Sequence, residues 1–296
     1  MYFRCEACHR RRWRRRLAAA LLGVVISSAA ALTSGAAEDG RVLRVAADPN
    51  NLPFSNEQGE GFENKIAELV AHELGARLEY VWWAQRRGFF RNTLKEGRAD
   101  VVIGVPAGFE MALTTRPYYR STYVFVSRRD SPLQVNSFDD LALRRVRVGV
   151  QMIGDDFSNT PPAHALSARG IVANVRGYTV YGDYTEPNPP AKIIAAVATG
   201  EIEVAVAWGP LAGYFASREA VPLTITPVPP APAGSPLRFT YAIAMGVRRG
   251  NAALARELDA VIVRRRAEID RILDDYGVPR ANAEPGKETE NHERAD

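Results

Sequence analysis

The chain has only two cysteines, and both lie close to its start, at Cys5 and Cys8. If the first 37 residues are removed, as argued below, the remaining protein has no thiol, no disulfide and no cysteine ligand for a metal. Histidine is scarce as well, since beyond residue 37 it occurs only at His72, His164 and His292. These positions are widely scattered, which argues against a histidine-rich metal site.

Two motifs that mark well-defined chemistry are also missing. The sequence contains no Gly-x-Ser-x-Gly motif of the kind that carries the nucleophile of α/β hydrolases. Gly59 and Gly61 lack the third glycine of the dinucleotide fingerprint and follow a loop rather than a strand. We therefore expect no cofactor.

The only long apolar run lies at residues 17–32. Seven arginines precede it, from Arg4 to Arg16, and the small residues Ser34 to Ala37 follow it. This order is typical of a secretory signal peptide, and the run is shorter than the roughly 20 apolar residues that span a bilayer. An uncleaved anchor is the alternative. We expect a signal peptide at residues 1–37, a periplasmic mature protein, and no membrane attachment after cleavage.

Removal of the signal changes the meaning of the charge. The whole chain has 38 basic and 34 acidic residues, a net charge of +4, but seven of the basic residues and one acid lie in residues 1–37. The mature chain therefore has 31 basic and 33 acidic residues and a net charge of −2. The apparent basicity belongs to the signal, so it gives no reason to expect a nucleic acid as a partner.

Strand and helix patterns alternate along the mature chain, which predicts an α/β fold. Two separate βαβ systems indicate two lobes, each with a mainly parallel sheet. The proline-rich residues 222–236 are predicted to be irregular, residues 251–276 to form one long helix, and residues 281–296 to be a disordered polar tail. The predicted strands are 42–46, 78–82, 101–105, 123–127, 147–150, 172–178, 204–208 and 241–247, and the other predicted helices are 63–74, 88–95, 163–168, 191–199 and 211–216.

This order of elements resembles a type II periplasmic solute-binding protein of solute-binding family 3. The resemblance implies a two-lobed fold with a cleft between the lobes. Lobe one would comprise residues 38–127 and 240–280, lobe two residues 128–239, and the crossing strands residues 124–127 and 239–242. The similar motifs are Gly61-Phe62-Glu63, residues 98–102, Pro117-Tyr118-Tyr119 and residues 200–206.

Longer segments resemble a narrower group, the MxaJ and XoxJ proteins of methanol oxidation clusters, which accompany quinoprotein dehydrogenases. The segments are residues 48–56, 61–69, 83–88, 91–94 and 115–123. The resemblance implies a periplasmic accessory protein that is not itself an enzyme. Its implied partners are a methanol dehydrogenase that uses pyrroloquinoline quinone (PQQ) with calcium or a lanthanide, and the cytochrome c of that system.

Ligands of open α/β sheets bind beyond the carboxyl ends of the strands, and this rule selects the candidate site. The stretch from Asp48 to Glu63 is rich in side-chain oxygens, the ligands that calcium and lanthanide ions favour. The spacing of these residues, however, does not match the EF-hand pattern. The segment after the third strand, residues 106–111, lacks the arginine that grips the carboxylate in amino-acid-binding relatives. The predicted ligand- or partner-binding residues are Asp48, Asn50, Asn51, Phe54, Trp83, Gln85, Arg86, Arg87, Tyr119, Gln151 and Trp208.

Three functions are open to such a cleft. We favour recognition of a dehydrogenase segment, because tryptophan, tyrosine and arginine are typical of protein-binding hot spots. A solute receptor for a transporter or a sensor is the second, and a dehydratase-like enzyme is the third. The enzyme would need an acid and a base that meet in the cleft, for which Asp48, Glu63 and Asp155 are the candidates.

Overall fold

The structure is a computed structural model that describes residues 40–153, 159–179, 184–232 and 234–282. The predicted signal peptide, most of the predicted tail and Asp155 lie outside the described residues. The described part begins with two consecutive strand–helix–strand units. It ends with two helices that pack against the sheet formed by those first strands.

The first part of the chain builds one half of the sheet, which we call lobe one. Its elements are β1 (Val42–Ala47), β2 (Asn50–Asn51), β3 (Ser55–Asn56), α1 (Phe62–Glu73), β4 (Arg77–Trp82), a π-helical turn (Arg91–Lys95), β5 (Val101–Pro106), β6 (Leu113–Thr114) and β7 (Tyr119–Arg128). Strand β1 pairs in parallel with both β4 and β5, as the βαβ pattern predicts.

The second half of the sheet, lobe two, follows. Its elements are a 3₁₀ turn (Leu141–Arg144), β8 (Val148–Met152), α2 (Pro161–Ala168), β9 (Val175–Thr179), a second 3₁₀ turn (Pro189–Ala191), α3 (Lys192–Ala198), β10 (Val204–Trp208), α4 (Gly209–Ala216) and β11 (Leu223–Pro227). The chain then returns to lobe one with β12 (Thr240–Val247), α5 (Ala252–Arg264) and α6 (Arg266–Asp275). The strand order is β4-β1-β5-β12-β7-β10-β8-β9, so the last strand is inserted between earlier ones.

The long strand β7 joins the two lobes. Its residues from Tyr119 to Thr122 pair with β12, whereas Tyr123 pairs with Trp208 of β10 and the following residues pair with β10 and β11. The chain therefore changes lobes between Thr122 and Tyr123, and it returns immediately before Thr240. The predicted crossing segment 124–127 was placed too late, since it pairs only with strands of lobe two.

Four apolar clusters cover both faces of both sheet halves, which explains why the central strands are apolar throughout. In lobe one, α1, α5 and α6 pack on one face around Phe62, Ile66 and Leu258. The opposite face is closed by Phe89 and Leu94. In lobe two, α3 and α4 cover one face and α2 covers the other.

The prediction that residues 222–236 are irregular is wrong at its start. Strand β11 lies there and pairs antiparallel with β7. Pro222 precedes the strand and Pro227 is its last residue, so neither proline interrupts the intervening Leu-Thr-Ile-Thr run. That run contains three β-branched residues, which favour a strand.

The single long helix predicted at 251–276 is divided at Arg265, whose backbone leaves the helical region. The division redirects the chain, so that Leu258 of α5 and both Ile269 and Leu273 of α6 enter the same apolar cluster. Arg265 forms ion pairs with Glu73 at 3.0 Å and with Glu268 at 2.8 Å, which hold the bend against α1.

Candidate binding cleft

A cavity of about 740 Å³ lies where the carboxyl ends of strands from both lobes meet. Lobe one contributes residues that follow β1 and β4, and lobe two contributes Gln151 of β8 and Trp208 of β10. The crossing strands close a third side with Tyr119, Tyr123 and Tyr241. The arrangement follows the rule that ligands of open α/β sheets bind at strand carboxyl ends.

The structure brings ten of the predicted site residues together in the wall of this cavity. They are Asp48, Asn50, Asn51, Phe54, Gln85, Arg86, Arg87, Tyr119, Gln151 and Trp208. Their role in binding stays a prediction, but their positions form one continuous surface between the lobes.

Trp83 is the exception, and its inclusion in the cleft was wrong. It packs against the Phe89 and Leu94 side of lobe one rather than in the cavity wall. The guanidinium of Arg98 lies 5.9 Å from its ring centroid. The neighbouring Trp82 is also away from the cavity and stacks on Tyr80 at 4.5 Å. Strand alternation directs these two rings to opposite faces of the sheet, and neither face is the cleft.

Asp48 is buried, and its carboxylate is fully used within the protein. It accepts hydrogen bonds from the backbone N–H of Asn50 at 2.9 Å, from the backbone N–H of Gln85 at 2.6 Å and from the Tyr184 hydroxyl at 2.7 Å. Such bonds to a buried carboxylate fix its position. Asp48 therefore holds the two loops of lobe one in place and leaves little capacity for a ligand.

Three other predicted polar residues are also engaged in the fold. The Asn50 side chain donates to the Glu186 carbonyl at 2.8 Å, and the Asn51 side chain donates to the Gln85 side chain at 3.1 Å. The Gln151 side-chain oxygen accepts from the backbone N–H of Trp208 at 2.9 Å. These bonds shape the cavity wall, and two of the described contacts, those of Asn50 and Tyr184, join the lobes.

A third contact between the lobes is apolar. Leu52, between β2 and β3 of lobe one, is only 5% exposed and belongs to the apolar cluster of lobe two that contains Ile193 and Leu211. Together with the hydrogen bonds of Asn50 and Tyr184, this insertion places the lobes in direct contact across one edge of the cavity.

Eight aromatic residues also line the cavity. Trp208 lies between Tyr123 and Tyr241, with ring centroids at 5.3 Å and 5.8 Å in edge-to-face geometry. Burial raises the pKa of the Tyr123 and Tyr119 hydroxyls well above the ordinary range of tyrosine, so both stay neutral. Such a wall suits a flat or apolar group.

Glu63 is a cavity residue that the predicted binding set omitted, although it was a candidate for the enzyme alternative. It lies in the first turn of α1, where Asn64 accepts a hydrogen bond from the backbone N–H of Gly61 at 3.0 Å. Its carboxylate lies directly against Gly104 of β5, since a Cβ atom there would be 2.0 Å from Oε1. Burial raises the pKa of Glu63 to about 8.

No hydrogen bond or ion pair joins the Glu63 carboxylate to another residue of the four described ranges. The signal that could have identified it is the apolar Gly-Phe context at the start of a helix that faces the cleft. With Asp48 fully bonded, an acid–base pair is not present among the described wall residues, since Asp48 and Glu63 are the only carboxylates there.

Neither a metal site nor a membrane helix is evident in the part of the chain that the structure describes. No group of three or more His, Cys, Asp or Glu side chains there could hold a metal ion. Among the helices of the same ranges, none has both the length and the apolarity that a membrane crossing needs.

Comparison with known proteins places this geometry in a family. Residues 43–279 match the family described as bacterial extracellular solute-binding proteins, family 3. The chain belongs to this family. The match covers the described lobes almost completely, which confirms the predicted α/β, two-lobed type II fold.

Within this family, the chain is similar to a narrower group of proteins. The chain is 34% identical to protein MoxJ of Methylorubrum extorquens over 258 residues, covering 83% of this chain and 85% of that protein. It is 33% identical to protein MoxJ of Paracoccus denitrificans over 263 residues, covering 84% and 92%. The predicted resemblance to the MxaJ and XoxJ group is confirmed.

Solved structures agree. The crystal structure of the periplasmic binding protein XoxJ from Methylobacterium extorquens AM1 matches with a TM-score of 0.67 and 36% identity, covering 82% of this chain and 100% of XoxJ. The crystal structure of MxaJ from Methlophaga aminisulfidivorans matches with a TM-score of 0.69 over 81% of this chain and 100% of MxaJ. At 24% identity, the second match speaks for the fold alone.

Proposed function

We propose that this protein is a periplasmic accessory of a PQQ-dependent methanol dehydrogenase system and that its cleft holds a segment of the dehydrogenase. The observation that carries the proposal is the similarity to MoxJ and XoxJ, which extends over more than four fifths of the chain. The arginine-rich and apolar start of the sequence supports a periplasmic location.

The chemistry of the cavity supports a protein segment as its occupant. Its wall presents the ring cluster around Trp208 and the half-exposed side chain of Met111, which are typical of hot spots and of adaptable binding surfaces. The polar side chains Asp48, Asn50, Asn51 and Gln151 are already bonded within the protein, so they contribute little to the recognition of a small polar solute. The dehydrogenase and its cytochrome c are the expected partners.

The experiment is size-exclusion chromatography with light scattering on the purified protein and the dehydrogenase, with and without bound quinone. We expect a complex that Trp208→Ala weakens at least tenfold. The matched control is Trp82→Ala, which removes a tryptophan outside the cavity and is expected to leave the complex unchanged. Absence of a complex in both forms of the dehydrogenase would refute the proposal.

A second candidate is a receptor that delivers a small solute to a transporter or a sensor. The size of the cavity favours it, because about 740 Å³ falls within the usual range of roughly 300–1,000 Å³ for small-molecule sites. A thermal-shift screen of amino acids, organic acids and alcohols decides between the two. A saturable stabilisation at micromolar concentration, together with no dehydrogenase complex, would establish the receptor instead.

A further inference from the structure

One edge of the cavity carries three arginines on a single short segment. Arg86, Arg87 and Arg91 all line the cavity, and all three are exposed. None of them forms an ion pair with an acid of the described residues. Arginines at strand ends elsewhere do have such partners; Arg147, for example, pairs with Glu203.

The local structure holds this edge in place. Gly88 adopts a positive φ of 95°, which turns the chain between Arg87 and the helical residues that follow. Phe89 is 3% exposed and anchors the turn in the apolar cluster of lobe one. Arg87 and Arg91 lie on either side of this turn, and both line the cavity.

Arg86 has a different environment. Its guanidinium lies 5.6 Å from the ring centroid of Tyr184, the lobe-two residue whose hydroxyl bonds to Asp48. This contact is a cation–π interaction that links Arg86 to the edge between the lobes. Arg87 and Arg91 have no ring contact or ion pair among the described residues, so they are the guanidinium groups with donors to spare.

Among the described wall residues, only Asp48 and Glu63 are acids that could neutralise these arginines. Asp48 already accepts three hydrogen bonds at 2.6 to 2.9 Å. Glu63, with its pKa raised to about 8 by burial, is mostly neutral at pH 7. The described wall therefore carries three arginines at one edge against the single carboxylate charge of Asp48, and it is aromatic around Trp208.

We propose that Arg87 and Arg91 form an anion subsite that takes a carboxylate of the bound molecule, while the aromatic wall takes an adjoining apolar group. Guanidinium groups bind carboxylates through paired hydrogen bonds, which give direction as well as attraction. The proposal rests on the proposed function in treating the cavity as the binding site. It specifies the chemistry of the occupant, which is an apolar group joined to a carboxylate.

The test uses two probes that differ only in charge, 3-phenylpropionate and its neutral amide. Binding is followed by tryptophan fluorescence of the full mature chain at low ionic strength. We expect the acid to bind at least tenfold more tightly than the amide, and the preference to shrink as salt is added. The double substitution Arg87→Gln and Arg91→Gln is expected to reduce the affinity for the acid to that for the amide.

The matched control is the double substitution Arg249→Gln and Arg256→Gln. Both residues are exposed, neither lines the cavity, and neither forms an ion pair with a described residue. The control should keep the preference for the acid. Circular dichroism of both double variants confirms that the fold is retained. Equal affinities for acid and amide in the wild type, or a preference that survives in Arg87→Gln/Arg91→Gln, would overturn the subsite.

A competition experiment with the dehydrogenase determines whether the carboxylate belongs to a dehydrogenase segment or to a free organic acid. It also allows the subsite and the proposed function to be tested separately. If the acid competes with the dehydrogenase and the Arg87→Gln/Arg91→Gln variant loses the complex, the carboxylate belongs to a dehydrogenase segment. If the acid binds but the complex is indifferent to it and to the variant, the subsite serves a free organic acid. If no complex forms at all, the proposed function fails, while the comparison of acid with amide still decides the subsite.

Discussion

Glu63→Gln is expected to remove a large pH dependence of stability from this protein. Burial raises the pKa of Glu63 from 4.5 to about 8, so the folded state keeps a proton that the unfolded state has lost. Between these two values the folded state binds more protons than the unfolded state. The free energy of unfolding contributed by Glu63 is therefore fully present below about pH 4.5, falls as the pH rises, and stops falling above about pH 8.

The size of the effect follows from the same two values. Each pH unit in the window lowers the free energy of unfolding by about 1.4 kcal/mol, so the full window corresponds to about 5 kcal/mol. This figure is an upper bound, because Glu63 is partly exposed and water that enters the cavity hydrates the carboxylate. Glutamine has nearly the same shape and does not titrate. We expect Glu63→Gln to match the wild type near pH 5 and to exceed its stability by up to about 5 kcal/mol near pH 8.

The assay is urea denaturation of both proteins at pH 5, 6, 7 and 8, with the difference in unfolding free energy plotted against pH. Other titrating groups largely cancel in that difference. Glu57→Gln is the matched control, because Glu57 is exposed and does not line the cavity, and its difference should be flat. Parallel stability curves for the wild type and Glu63→Gln would show that the carboxylate is hydrated and would refute the reasoning.

Three further substitutions test individual contacts within the fold. Gly213→Ala would place a Cβ atom 2.0 Å from the Gly277 carbonyl oxygen, so we expect a loss of about 3 kcal/mol, and an unchanged melting temperature would contradict this. Asp48→Asn should lower the free energy of unfolding, measured by urea denaturation, by about 2 kcal/mol, because one amide oxygen cannot replace a carboxylate that accepts three hydrogen bonds. The same substitution should expand the molecule in small-angle scattering. Asp100→Asn breaks the two-pronged contact with Arg44, whose side chain is 40% exposed, so only about 1 kcal/mol should be lost. A loss above about 3 kcal/mol in urea denaturation would contradict this.

The order of elements could be predicted because each strand and helix has its own local periodicity. The continuous apolar run at Val101–Pro106, for example, is a central strand covered on both faces, as its composition indicates. The cleft could be placed because the carboxyl ends of such strands must meet at one edge. Both inferences depend on properties that are local or that follow from parallel pairing.

Three of the failures have a different cause, which is dependence on distant residues. The Glu63 carboxylate can occupy its position only because Gly104, on another strand, leaves room for it. Trp83 faces away from the cleft because the cluster around Phe89 occupies that face. The break at Arg265 exists because the two helices share one core. None of these partners can be identified from the periodicity of the segment itself.

The insertion of Leu52 into the apolar cluster of lobe two has a thermal consequence. Separation of the lobes would withdraw this side chain into water, at a cost of about 2 kcal/mol near room temperature. Exposure of apolar surface raises the heat capacity, and the penalty for it weakens on cooling. Separation of the lobes, which gives access to the cavity, should therefore cost less free energy in the cold than at room temperature. The hydrogen bonds across the same edge, taken alone, would not make the cavity easier to open on cooling.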